Sequence, residues 1–79
     1  MFRTEDLLSR IEDRPFRPFR VHLTDGDTID VLEQGTVMVG RTTVVLPKRF
    51  GRDETGRLVA ESWRTIALIH IVQLSEIDE

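Results

Sequence analysis

Cysteine is absent from the 79-residue chain, which excludes disulfides and thiolate metal sites and fits a reducing compartment. Long apolar runs are absent as well. The longest, Ile66 to Val72, is broken by His70 and falls far short of the ~18 residues a membrane span requires. The stretch Met1 to Ile11 is charged and amphipathic, without the apolar centre of a signal peptide. No internal repeat or low-complexity tract is present. The expectation is one cytoplasmic domain spanning residues 1–79, with no membrane contact.

So short a chain buries only about 60–65% of the surface its unfolded form exposes, so its core is thin. With no disulfide or thiolate zinc to staple it, association with other chains is the remaining route to added stability. A homo-oligomer, or a complex with another protein, is therefore expected.

The net charge is −3, unevenly spread. Residues 1–24 carry five arginines against four acids, and residues 25–47 carry Arg41 against four acids. Residues 48–64 hold five basic residues against three acids, and residues 65–79 hold three acids and no Lys or Arg. An acidic total disfavours sequence-independent nucleic-acid binding, which needs a positive field. Local basic faces remain open to it.

The first element is a helix over 4–13. Thr4 is placed to cap it, Glu5 and Asp6 suit the positive end of the dipole, and Leu7, Leu8 and Ile11 form one apolar stripe. Arg14 precedes Pro15, a position pushed out of the helical region. Residues 14–18 form a stiff connector, and Phe16 and Phe19 are expected to plug the core beside it. A sharper reading makes Arg14, Arg17 and Arg20, interleaved with these rings, a nucleic-acid surface.

From Phe19 the apolar period becomes two, and residues 19–77 read as antiparallel strands. Phe19, Val21 and Leu23 alternate with polar residues up to a turn at Asp25-Gly26, after which Ile29 and Val31 continue the apolar face. A three-residue loop, Asp25 to Asp27, would set Leu23 opposite Ile29 and Val21 opposite Val31. Further strands are expected at 37–39 and 42–46, the latter ended by Pro47. A charged loop is expected over 48–57, then a strand over 58–66, a tight turn over 67–70 and a last strand over 71–77. The fold class is α+β: an N-terminal helix and about five antiparallel strands in a small barrel or strongly bent sheet.

No catalytic, cofactor-binding or metal-ligating set emerges. Only His22 and His70 are available as imidazoles. In the register above His22 lies across from Asp30, which would orient a base, but a plain cross-strand polar pair is the favoured reading. His70, between Ile69 and Ile71, reads as a buried or half-buried histidine. Asp25, Asp27 and Asp30 lack the later glycine and glutamate spacing of a calcium loop. Trp63, Phe50 and Leu32 are left without an assigned side, and an outward Trp63 would signal a partner surface.

The segment RPFRPFRVHLTDGDTIDV at 14–31, with LIHIVQL at 68–74, resembles a family of small bacterial proteins that carries no assigned activity. The order of elements, with IALIHIVQL near the end, is similar to the Sm-like small barrel. That resemblance implies ring-shaped oligomers formed by edge-strand pairing, and RNA binding. Ile69 stands where that family's RNA chaperones carry lysine before the closing histidine. Two functions are thus expected in order: a non-enzymatic, self-associating binding or regulatory module, and a Sm-like RNA-binding protein. Contacts in either case would fall on Arg14, Arg17, Arg20, Lys48, Arg49 and Arg52.

Overall fold

The computed structural model describes residues 3–77; Asp78 and Glu79 of the acidic tail, and Met1 and Phe2, lie outside them. One helix and six strands follow in chain order: α1 (Thr4–Ile11), β1 (Phe19–Leu23), β2 (Thr28–Val31), β3 (Met38–Val39), β4 (Thr43–Arg52), β5 (Leu58–Ala67) and β6 (Ile71–Glu76). A single 3₁₀ turn, Leu68–His70, joins β5 to β6. The α+β class holds. Hydrogen bonding groups the strands into two antiparallel sheets, sheet A in the order β2-β1-β6 and sheet B in the order β3-β4-β5, rather than one closed barrel.

The helix is shorter at its end than the pattern implies, and Arg3 rather than Thr4 occupies the cap position. Its opening turn is tied instead by Asp6, whose Oδ2 accepts from the Arg3 backbone N–H at 3.4 Å. Leu7 is fully buried, Ile11 packs on the core, and Leu8 is exposed, so the docking stripe is narrower than the sequence suggests. At the other end the Gln34 side-chain amide donates to the free Ile11 carbonyl at 2.8 Å. That bond supplies a partner for one of the carbonyls every helix leaves unpaired.

Phe19, Val21 and Leu23 of β1 meet Ile29 and Val31 of β2, Val44 and Leu46 of β4, Ile66 of β5 and Ile71 of β6 in one core. Phe16 packs at its margin, its ring 6.1 Å from that of Phe19 in an edge-on arrangement. The core-plug reading of the two phenylalanines therefore stands.

The first hairpin departs from expectation by two residues. Val21 pairs with Ile29 and Phe19 with Val31. The loop is Thr24-Asp25-Gly26, closed by the Gly26 N–H donating to the Leu23 carbonyl and the Leu23 N–H donating to the Asp27 carbonyl. Gly26 takes φ = +91°, the left-handed position that a three-residue turn with a bulge demands. A shift of two keeps every side chain on its side, which is why the apolar alternation could not detect it.

Pro47 does not end β4. The strand runs on to Arg52, pairing with β5 throughout, with irregularities at Pro47/Arg49 and Arg49/Phe50. The expected loop over 48–57 thus shrinks to a turn around Asp53–Gly56. A proline is compatible with a strand where the ladder is already interrupted by a bulge. Between Pro47 and Ile66 no residue is buried, so the outer half of this hairpin adds nothing to the core. Among the described residues no helix is long and apolar enough to cross a membrane.

Candidate functional site

The basic residues singled out from the sequence do not form one cluster with aromatic rings. Arg14 and Arg17 are exposed on the connector, while Arg20 lies on the polar face of sheet A. Its guanidinium is taken by Asp30, Nε to Oδ1 at 2.7 Å and Nη2 to Oδ2 at 3.3 Å. That bond, with the carboxylate's charge, raises the Arg20 pKa. Lys48, Arg49 and Arg52 are exposed on β4, in the other sheet, with Arg52 donating to the Gly56 carbonyl at 2.8 Å. Phe19 is fully buried and is closed to stacking by a base.

The expected pairing of His22 with Asp30 does not occur. His22 lies across from Thr28, and Arg20 takes the place opposite Asp30. Instead the His22 Nε2 shares a 2.7 Å hydrogen bond with the Ser75 hydroxyl from β6. This pair joins residues 53 positions apart, beyond the reach of a local reading. Both residues are half-buried, and among the described residues no third side chain is hydrogen-bonded to the imidazole, so the pair reads as a cross-strand polar contact. His70 is exposed rather than buried, its Nδ1 3.4 Å from the Thr24 hydroxyl. It closes the 3₁₀ turn Leu68–His70, within the turn expected over 67–70, and its neighbour Ile69, 81% exposed, gives it no apolar cover. Among the described residues no group of three or more potential ligands gathers around a metal position.

The feature that stands out is on the solvent side of sheet B. Met38 pairs with Val45, Val45 with Thr65, and Trp63 lies two residues before Thr65 on β5, so these positions share one face, while Pro47, the pairing partner of Trp63, is itself fully buried. Trp63 is 50% exposed and Met38 72%. With Val37, Val45, Gly35 and Thr36 they line an apolar groove of about 360 Å³. Leu32 and Phe50 are half-buried. An adjoining hollow reaches from Trp63 past Leu58 and Ala60 to Glu33, Asp53 and Arg57. The wall formed by Glu33–Val37 is held by the Thr36 hydroxyl on the Glu33 carbonyl and by Gln34 on the helix end.

Two carboxylates are tuned by turns. The Asp53 Oδ1 accepts from the Thr55 hydroxyl and from the N–H groups of Thr55 and Arg57, all within 2.7–2.9 Å. These bonds hold its pKa below the ordinary aspartate value, the Thr55 hydroxyl contributing most. Asp25 is lowered likewise, first by the Asp27 N–H and then by Arg64.

Neither a protein-family model, nor a curated protein, nor a solved structure matches this chain.

Proposed function

We propose that the protein is a small non-enzymatic binding or regulatory module that associates with a second copy of itself through the outer face of sheet B. The observation that carries this reading is an antiparallel sheet apolar on both sides: Val44, Leu46 and Ile66 inward, Met38, Val45 and Trp63 outward. A sheet with one face in water ordinarily alternates apolar inside with polar outside. An exposed tryptophan beside an exposed methionine is the composition of interface centres. The patch combines an exposed side chain, Met38, with the groove it borders, and in the proposed pairing this same self-complementary patch serves both copies. Neighbouring β5 is an edge strand, which leaves backbone groups free to extend the contact.

The test is size-exclusion chromatography with light scattering on untagged protein over a range of concentrations, with tryptophan emission recorded in parallel. A dimer or larger assembly with Trp63 emission shifted to the blue is expected. A monomer at the highest concentration, with emission unchanged by dilution, overturns the self-association.

A second reading, a Sm-like RNA-binding protein, is favoured by the element order and by exposed Lys48 and Arg49 on β4 with Arg14 and Arg17 on the connector. It requires a gel shift at low salt that weakens steeply as salt rises. No shift at low salt eliminates it.

A further inference from the structure

Trp63 borders two unlike hollows. The apolar groove of about 360 Å³ runs from it to Met38 and Val45. The adjoining hollow, about 310 Å³, instead carries Glu33, Asp53 and Arg57. Gly35, Thr36 and Trp63 line both, so the face has an apolar end, a shared middle and a charged end. Glu33 and Arg57 are exposed, and among the described residues neither side chain has an ion-pair partner within its own copy. Asp53 differs, because its Oδ1 is already taken by Thr55 and by the Arg57 N–H. The charged end thus presents one carboxylate and one guanidinium that line the same hollow without closing on each other.

Two copies meeting face to face are related by a two-fold axis lying in their interface, which either sets like ends together or reverses them. Reversal would press Met38 onto Glu33 and Arg57, taking water from charged groups without supplying partners. With like ends together, Met38 meets Met38, Trp63 meets Trp63, and the charged end meets its own copy. A rim of one sign would repel itself there, but this one carries both signs. We propose that Glu33 of each copy pairs with Arg57 of the other, and that these reciprocal ion pairs fix the orientation of the dimer. This inference rests on the self-association reading and adds to it the groups that choose how the faces align. Charges at such a rim orient association more than they tighten it, and reversing one sets like charges opposite each other.

The experiment measures dissociation constants at low salt by sedimentation over a dilution series. Four samples are compared: the parent, Glu33→Arg, Arg57→Glu, and an equal mixture of the two variants. Either variant alone faces itself with like charges and should dissociate about tenfold more readily than the parent. In the mixed dimer every facing pair has opposite signs, so mixing should restore association to within a few-fold of the parent. Both residues are exposed, and circular dichroism of each variant checks that the fold is kept. Variants that associate as tightly as an associating parent overturn the proposal and leave self-association standing. A mixture that associates no more tightly than its components does the same. A parent that stays monomeric at every concentration overturns both.

Discussion

Arg20 of β1 grips Asp30 of β2 through its Nε at 2.7 Å, directly across the strand pair. The contact replaces the imidazole–carboxylate pair that a register two residues away would have made. Both partners are well exposed, at 40% and 38%, so solvent and salt screen the attraction. Asp30→Ala should therefore lower the melting temperature only slightly, by an amount that shrinks as salt is added. Thermal melts at low and high salt check this, and a large, salt-insensitive loss would show that Asp30 does more than pair with Arg20.

Phe19 should behave in the opposite way. Its side chain is fully buried and is the largest in the core. Phe19→Ala should cost about 3–5 kcal/mol, a large share of what so small a domain has. Phe16→Ala, at the margin, should cost much less. Urea unfolding of the two variants provides the comparison, and equal losses would contradict the core-plug role assigned to Phe19.

At Trp63 the expected effect is on assembly, not folding. Half its surface already meets solvent, so Trp63→Ala should change the stability of the dissociated protein by less than about 1 kcal/mol. Light scattering should find the variant smaller than the parent at equal concentration. Unchanged mass would remove Trp63 from the interface.

Acid should weaken the fold through its turns. Asp25 and Asp53 both have folded-state pKa values below the ordinary 3.8. A lowered value means the folded form binds fewer protons than the unfolded one as pH falls. The resulting stability is fully present above pH 3.8 and is lost as pH drops through the folded values. Urea melts between neutral pH and acid should fall in that window, and Asp53→Asn should flatten the fall. An identical profile in the variant would assign the acid sensitivity to other groups.

Gly26 sits at φ = +91° in open space, so a methyl group there meets no neighbour but forces a disfavoured backbone. Gly26→Ala should cost about 1 kcal/mol, within the range for a left-handed position. Chemical denaturation measures it, and a neutral result would mean the turn relaxes freely.

Much of the fold was legible because alternation fixes sides: Phe19, Val21, Leu23, Ile29 and Val31 all lie in the core as their spacing requires. Alternation is blind to a slip of two, and so His22 was matched to the wrong partner. Pro47 misled for a related reason. Its missing N–H normally stops a strand, yet the bulge beside it absorbs the lost bond. The candidate face was half visible. Trp63 stands out with Phe50 and Leu32 as a large residue without an assigned side, whereas Met38 reads only as part of the 37–39 strand, and strand pairing alone places these two residues 25 positions apart on one surface. Ser75 and His22, and Arg64 with Asp25 and Asp27, were hidden because nothing local links such distant positions.

The β4–β5 hairpin is buried only at its root, where Val44, Leu46 and Ile66 lie, and carries no buried residue from Lys48 to Thr65. Its amide protons should divide accordingly into two exchange classes. Those of the outer rungs open by local fraying at small cost, while those at the root wait for global unfolding. The strand bearing Trp63 thus straddles a boundary between a yielding segment and a firm one. A partner bound there would be reported by slowed exchange in the outer rungs before any change in the core.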